Sequence, residues 1–370
     1  MLVCAARALR VRMTTIFSSS HHALAAMKIT VQSNNGEFSF DCGERESILY
    51  AGLRQALNLP FECATGTCGT CRARLTAGEV DIRWKDAPGG ARLKPEKGDI
   101  LMCQARARSD VRLRVPSELV VSDKAAPASR RGTIRGLQLL TRDVLHFDLH
   151  LTSPMRFHAG QFVVLETPGI AGGRAYSMVN FASEVEQLAL VVKRKPGGRF
   201  CDWMFDSLSG EPEVDVFGPL GRAIFRPEER RNFVCIAGGS GIAGMMSILE
   251  CAVQADHFRN HKAAVYFGVR TLADAFYLEQ LSRYAAASHG NLDVTVALSD
   301  ENVTAPLHAE FPILKLANGL VHEVAAKAMA GQDPNLIAYV AGPPIMVDST
   351  IRALIAGGVM RKDIRYDKFS

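Results

Sequence analysis

A chain of 370 residues with 48% hydrophobic and 22% charged residues is long enough for two or three domains, each burying its own core. Its formal net charge of +5 is spread along the sequence rather than gathered into a basic block, which argues against nucleic-acid binding. No apolar run approaches the roughly 20 residues that span a bilayer, so no membrane segment is expected. Nine cysteines without a secretory signal read as thiols of a reducing, cytoplasmic compartment.

Residues 1–26, MLVCAARALRVRMTTIFSSSHHALAA, carry Arg and Ser, and no acid precedes Glu37. Such a composition suits an organellar transit peptide, or an over-long start, since Met13 and Met27 offer later initiation. We read the segment as a disordered extension outside the chemistry.

The first unit spans 27–116. Residues 28–33 and 37–41 alternate apolar and polar around Ser33-Asn34-Asn35-Gly36, a strand–turn–strand signal. Ser47–Asn58 carries Ile48, Leu49, Ala51, Leu53, Ala56 and Leu57 at helical spacing and is closed by Leu59-Pro60. Then comes F-E-C-A-T-G-T-C-G-T-C. Cys63, Cys68 and Cys71 fall at C-x4-C-x2-C spacing, with thirty-one residues between Cys71 and Cys103. That is the ligand spacing of a plant-type [2Fe–2S] cluster. Ala64, Thr65, Gly66, Thr67, Gly69 and Thr70 are small enough to let backbone amides approach cluster sulfurs, and the loop around Ala64–Thr67 is expected to be exposed. The competing reading, tetrahedral zinc, usually takes two paired C-x2-C hooks, and Cys103 has no nearby cysteine. Cys4, Cys42, Cys235 and Cys251 stand alone and read as unpaired thiols. Residues 27–115 hold fourteen Lys and Arg against eleven Asp and Glu, a net of +3.

Pro116–Gly132 is rich in Ala, Pro, Ser and charge and reads as a linker. The second unit, 130–228, contains short β-rich runs at Thr133–Leu140, Val144–Leu151, Gln161–Thr167, Arg174–Asn180 and Leu188–Lys195, the pattern of a small antiparallel barrel. Arg174-Ala175-Tyr176-Ser177 puts on a strand a guanidinium that can clamp a pyrophosphate, a ring that can lie against a flavin and a hydroxyl. Lys193-Arg194-Lys195-Pro196-Gly197-Gly198-Arg199-Phe200-Cys201 follows, its glycines opening a helix expected over Arg199–Leu208. Gly218-Pro219-Leu220-Gly221 reads as a closing loop.

The third unit, 229–370, changes character. Phe233–Ala237 is a buried parallel strand by composition, and Gly238-Gly239-Ser240-Gly241-Ile242-Ala243 leads into a helix over Gly244–Gln254. Strand, glycine turn and helix form the arrangement that holds a dinucleotide pyrophosphate, although G-x-G-x-x-G itself is absent. Alternation continues with strand Ala263–Val269, helix Ala273–Ala287, strand Asp293–Ser299, helix Val321–Met329, strand Leu336–Ala341 and helix Pro344–Ala356, predicting a doubly wound α/β sheet. Ala341-Gly342-Pro343-Pro344 lies at a strand's carboxyl end, and the chain closes on Tyr366-Asp367-Lys368-Phe369-Ser370.

In this order the segments resemble the ferredoxin–NADP reductase superfamily, and within it the NADH-dependent reductase components of multicomponent aromatic oxygenases, of the carbazole-dioxygenase and toluene-monooxygenase types. The resemblance covers about residues 28–369. It rests on the cysteine quartet, on Gly78-Glu79-Val80 with Trp84-Lys85-Asp86-Ala87-Pro88-Gly89, on Gly160-Gln161-Phe162, and on the three later motifs. It implies a multidomain protein: an α+β β-grasp ferredoxin, an antiparallel flavin barrel and an α/β nucleotide domain. It further implies FAD held by Arg174, Ala175, Tyr176 and Ser177, with Val192, Lys193, Gly197, Gly198 and Cys201 near its ring and phosphates. NADH would lie on Gly238, Gly239, Ser240, Gly241, Arg270, Gly342, Pro343 and Pro344, with Phe369 covering the flavin until the nicotinamide displaces it.

Three positions depart from that pattern: Cys201 stands where a serine is frequent, Ala341 where a cysteine is frequent, and Ile242-Ala243-Gly244 lacks the proline frequent in G-I-A-P, Gly244 standing in its place. The implied function is electron transfer from NADH through FAD and the cluster to a terminal oxygenase or its ferredoxin, by a monomer in the cytoplasm. No side chain need act as acid, base or nucleophile. The same chemistry could serve another client, such as a sugar-deoxygenation dehydratase.

Overall fold

The alternating residues after Ala26 form strands β1 (Met27–Ser33) and β2 (Gly36–Cys42), antiparallel through Ser33↔Gly36. The computed structural model describes residues 26–122, 126–302, 310–331 and 333–369, so the expected extension, apart from Ala26, lies outside the described residues, as does Cys4. Helix α1 (Ile48–Arg54) starts where Ser47 accepts a hydrogen bond from the Tyr50 amide, and it buries Ile48, Leu49, Tyr50, Ala51 and Leu53. The helix ends four residues earlier than periodicity suggests. Ala56 turns left-handed (φ 62°), and Ala56 N and Leu57 N close the last turn on Leu53 O and Gly52 O. Asn58 N then donates to Val120 O (2.9 Å) and Ser122 N to Ala56 O (2.8 Å), tying the helix end to the chain that leaves the domain.

Strands β3 (Arg72–Ala77), β4 (Val80–Ile82), β5 (Asp99–Leu101), β6 (Ala105–Ala107) and β7 (Val111–Arg114) complete this unit. A five-stranded sheet in the order β2-β1-β7-β3-β5 carries α1 on one face, with β4 and β6 as a separate ribbon, which is the expected β-grasp. The stretch after Pro116 is not a free linker. Leu119 is buried, Asn35 bonds both its amide and its carbonyl, and Leu57 bridges Val121.

The middle unit comprises β8 (Ala128–Thr141), β9 (Val144–Met155), β10 (Phe162–Glu166), β11 (Arg174–Ser177), β12 (Val185–Lys193) and β13 (Glu213–Leu220). They run β11-β10-β13-β8-β9-β12, every pair antiparallel. The sheet closes on itself where Val179 N donates to Ala189 O (2.8 Å) and the Asn180 side chain bridges Gln187 and Ala189. Gly218-Pro219-Leu220, expected as a loop, continues β13, because Phe162 pairs with Leu220. The expected helix over Arg199–Leu208 is a single turn, α2 (Arg199–Asp202), followed by a wider turn at Trp203–Ser207.

The last unit alternates β14 (Phe233–Gly238), α3 (Ile242–Gln254), β15 (Ala263–Val269), α4 (Leu278–Ala287), β16 (Leu292–Leu298), β17 (Lys315–Asn318), α5 (Val321–Met329), β18 (Ile337–Gly342), α6 (Pro344–Ala356) and β19 (Ile364–Lys368). Its sheet, β17-β16-β15-β14-β18-β19, is wholly parallel and changes direction between β14 and β18. That is where doubly wound sheets bind ligands. Helix α4 starts five residues later than periodicity suggests. Thr271 and Asp274 form a capping box on a separate turn, and Phe276 is drawn into the core against Phe267 (centroids 5.5 Å). β19 escaped the sequence reading.

The barrel shares its core with both neighbours. Phe162, Val164, Phe217 and Leu220 pack with the iron–sulfur domain, whereas Val144, Ala159, Val191, Ala223 and Phe225 pack with the nucleotide domain. Cys42, Cys235 and Cys251 are buried, unpaired thiols. Among the described residues no helix is long and apolar enough to cross a membrane.

Candidate cofactor sites

The cysteine loop lies between α1 and β3, and Cys103 follows β5. Its sulfurs approach in two pairs. Cys71 Sγ is 3.2 Å from Cys103 Sγ, and the Cys68 thiol contacts Cys63. Amides line them: Thr65 N and Cys68 N each lie 3.4 Å from Cys63 Sγ, and Thr70 N lies 3.4 Å from Cys68 Sγ. The Cys68 contact first, then those from Thr67 and Thr65, outweigh burial and hold the Cys63 thiol down to about 4. Among the described residues no three His, Cys, Asp or Glu converge as a single metal ion requires. Two thiolate pairs with N–H donors fit two bridged irons better than one zinc. The buried Gln104 Oε1, left without a partner, adds an unsatisfied acceptor beside Cys103.

Exposure of the loop differs from expectation. Ala64, Thr65 and Gly66 are buried, because Gln104, Ala87 and Gly89 cover them; Cys68 and Thr70 form the open edge. Gly89 N donates to Gly66 O (2.8 Å), and a Cβ on Gly89 would stand 2.6 Å from Gly69 N, so only glycine permits this lid. Tyr50 Oη donates to Ala64 O (3.0 Å) from inside the domain, and its ring stacks on Phe217 of β13 (4.1 Å, 12°).

In the barrel, β10 and β11 pair from Leu165↔Arg174 to Phe162↔Ser177. The Arg174 guanidinium bonds the Gly173 carbonyl (2.9 Å), rests over the Trp84 ring of the iron–sulfur domain (5.3 Å), and has no carboxylate partner among the described residues. An arginine without a counter-ion beside a strand end suits a diphosphate. Tyr176 packs edge-on to Phe147 (6.0 Å) and against Phe200 of α2 (5.5 Å), and burial raises its phenol well above the usual range. The Val192 side chain is in the barrel core, so only its backbone can meet a ligand. Cys201 turns its thiol to the Lys193 carbonyl (3.4 Å).

The nucleotide turn abuts this strand end. A Cβ on Gly244 would lie 3.4 Å from Ser177 Cβ, and one on Gly239 4.0 Å from Lys193 Cδ. Lys193 Nζ is itself 3.4 Å from Asp143. At Gly241 a Cβ would meet Ala341 O at 2.3 Å, so the turn presses on β18. Gly342 accepts from Phe369 N (3.1 Å), and the Phe369 ring meets Phe162 edge-on (6.2 Å). A Cβ on Gly238 would lie 3.3 Å from Pro343 Cδ, Ser240 sits in the turn Gly239–Gly241, and Pro344 opens α6. Arg270 stands apart at the end of β15, more than half exposed, with Asp274 3.9 Å away. The sequence reading passed over Asp274 and Arg142. Burial pushes the Asp274 carboxyl up, but bonds from Thr271 and the charges of Arg142 and Arg270 prevail and hold it below the usual range. The capping spacing T-x-x-D was the available signal.

Three family models match in chain order: a 2Fe-2S iron-sulfur cluster binding domain over residues 31–108, an oxidoreductase FAD-binding domain over 132–225 and an oxidoreductase NAD-binding domain over 235–352. A ferredoxin–NAD(P)(+) reductase of Metapseudomonas resinovorans, CarAd, is 31% identical over 90% of this chain and 98% of its own length. The chain belongs to the ferredoxin–NADP reductase superfamily, among the reductase components of multicomponent oxygenases. The ferredoxin–NAD(+) reductase component of an alkene monooxygenase system from Xanthobacter autotrophicus is 34% identical over 91% of this chain and 99% of its own. Among solved structures, the ferredoxin reductase in carbazole 1,9a-dioxygenase superposes with a TM-score of 0.77 at 30% identity, covering 94% of this chain and 99% of that one. The reductase of this family therefore carries a [2Fe–2S] cluster, FAD and a nicotinamide dinucleotide in successive domains.

Proposed function

We propose that this reductase takes electrons from NADH and delivers them singly to the terminal oxygenase, or the ferredoxin, of a multicomponent aromatic-hydroxylating system, acting as a monomer in the cytoplasm. The units are 27–116 for the cluster, 130–228 for FAD and 229–370 for NADH. The observation that carries the reading is the position of the barrel between two contacts. On one side Ser177 meets Gly244 of the nucleotide turn; on the other Phe217 meets Tyr50 of the cluster domain.

When bound, these groups would supply hydride donation from NADH and one-electron carriage of its two electrons by flavin and cluster, the proton passing to solvent. The chain's part is binding, orientation and exclusion of water. Cys63, Cys68, Cys71 and Cys103 would hold the cluster, with the amides of Thr65, Cys68 and Thr70 donating to its cysteine sulfurs. Arg174 clamps the FAD diphosphate, Tyr176 and Ser177 border the ring, and Lys193 with Gly197, Gly198 and the Cys201 amide completes the pocket. Gly238–Gly241 and Gly342–Pro344 seat the dinucleotide, with Arg270 at its ribose end. Phe369 guards the ring's open face. Ala341, buried against Ala237, offers the nicotinamide a smooth apolar wall.

Anaerobic NADH titration of the purified protein tests this. Flavin bleaching followed by cluster reduction is expected; a protein that binds no flavin and oxidises no NADH would refute it. Cys71→Ser should abolish delivery to an oxygenase yet keep NADH–ferricyanide activity, since ferricyanide draws from the flavin. Equal loss of both would make the cluster a structural support.

A further inference from the structure

We propose that the outer face of the iron–sulfur domain's sheet, with the 92–97 turn beside it, docks the electron-accepting protein, and that the acceptor meets it with a carboxylate-rich patch. The inference rests on the electron-delivery reading above and adds the place and the charge of the partner.

The open edge of the cluster loop runs directly into this face. Cys68, Thr70, Arg72 and Arg74 are exposed in alternation, with Cys71 and Ala73 turned inward. Arg72 and Arg74 stand on β3, whose neighbour β7 sets Arg114 directly opposite Arg74. Like charges facing each other across a ladder destabilise a sheet. The domain nevertheless adds Lys94 and Lys97 from the adjoining turn. Together these five cations line a concavity of about 360 Å³ around one acid, Asp99.

That acid is already committed. Asp99 is buried, its Oδ1 bonds Arg74 (3.1 Å), and its Oδ2 accepts the Lys94 amide (3.2 Å). Among the described residues Arg72, Lys94, Lys97 and Arg114 have no carboxylate at ion-pair distance. Nearby acids do not redress the balance: Glu37 is taken by Arg112 (3.3 Å), and Glu96 points from the turn to solvent. The turn is also fastened to the cluster, because Gly89, five residues before Lys94, bonds the loop at Gly66 (2.8 Å). An anionic surface steered here arrives next to the exposed ligand loop, where the electron must leave.

The test uses the holoenzyme with two protein acceptors of opposite charge, an acidic plant-type [2Fe–2S] ferredoxin and basic cytochrome c. The triple variant Lys94→Glu, Lys97→Glu, Arg114→Glu should raise the apparent KM for the ferredoxin on the order of tenfold and flatten its salt dependence, while reduction of cytochrome c speeds up. Arg114→Glu alone should also raise Tm, because it replaces a like-charge pair with an attractive one. Anaerobic reduction of flavin and cluster by NADH should be unchanged in every variant. Unchanged KM and salt slope for the ferredoxin, or a shift of both acceptors in the same direction, would overturn the proposal. So would inhibition by citrate or phosphate beyond that of chloride at equal ionic strength, which would make the concavity a small-anion site. Failure of NADH to reduce the flavin would instead strike the functional reading itself.

Discussion

The ring of Tyr50 lies flat on that of Phe217, centroids 4.1 Å apart and planes 12° from parallel, while its hydroxyl holds the carbonyl of Ala64 at 3.0 Å. One side chain thus ties the residue after Cys63 to a barrel strand, and so fixes the cluster loop against the flavin domain. Burial first, then the charge of Glu166, keeps the phenol protonated, so it remains a donor at any working pH. Tyr50→Phe retains the stack but leaves the Ala64 carbonyl unpaired, at a cost of about 1–3 kcal/mol. Phe217→Leu removes the aromatic pairing, worth about 0.5–1.5 kcal/mol beyond buried area. Both variants should slow electron transfer from flavin to cluster in stopped-flow traces while NADH reduces the flavin at the wild-type rate. Unaltered cluster reduction would show that the barrel and the loop are held in register by other contacts.

A second tie between the same domains is ionic. Arg83 reaches Glu166 with both nitrogens, at 2.8 and 2.5 Å, and both side chains are about four-fifths shielded. Removing one partner strands a shielded charge, so Arg83→Ala should lower stability by about 1.5–3 kcal/mol. The swap Arg83→Glu with Glu166→Arg should recover part of that loss. Thermal unfolding of the two variants decides; equal Tm values for Arg83→Ala and wild type would mean the pair contributes nothing.

Much of this molecule is legible in its sequence because its cofactor sites are short, local and chemically restrictive. The cysteine loop, the R-A-Y-S strand and the glycine turn into α3 could be read as local structure, since each needs particular residues at fixed spacing along one stretch of chain. The failures share a cause. α1 and α4 stop or start away from their apolar periodicity because contacts beyond each apolar run intervene: Ala56 turns left-handed, and it and Asn58 bond Ser122 and Val120, whereas Asp274 with Thr271 caps a separate turn. β19 was missed because Ile364–Lys368 has little strand signature of its own and is held by register with Ala338–Gly342. Which edge of the cluster loop faces solvent was misjudged because the covering residues, Ala87, Gly89 and Gln104, are distant in sequence. The stacking of Tyr50 on Phe217 joins positions 167 residues apart, and nothing local announces it.

At the nucleotide turn the controlling distance is backbone to backbone. A Cβ on Gly241 would lie 2.3 Å from Ala341 O and 2.6 Å from Ala341 C, with no flexible side chain to yield. Gly241→Ala must push the turn off β18, an overpacking cost of about 1–3 kcal/mol, and displace the amides proposed to seat the dinucleotide. The expected result is a raised KM for NADH with flavin and cluster contents unchanged. Normal NADH kinetics in a variant that folds would remove this turn from the binding site.

The carboxyl of Asp367, half-buried near the chain's end, is pushed up to about 7 by burial first and by the charge of Glu62 second. Its ordinary value is 3.8, so between about pH 4 and pH 7 the native state holds a proton that the unfolded chain releases. Stability must then fall as pH rises through that window, because the folded state binds the greater number of protons. Asp367→Asn mimics the protonated acid at all pH values. Its Tm should match the wild type near pH 4 and exceed it increasingly up to about pH 8, where the native carboxylate is charged in a poorly solvated position. Lys368, bonded to Asp348 at 2.8 Å, is committed elsewhere and does not neutralise it. A Tm difference that stays constant from pH 4 to pH 8, measured on the holoenzyme, would show that Asp367 titrates as an ordinary surface acid.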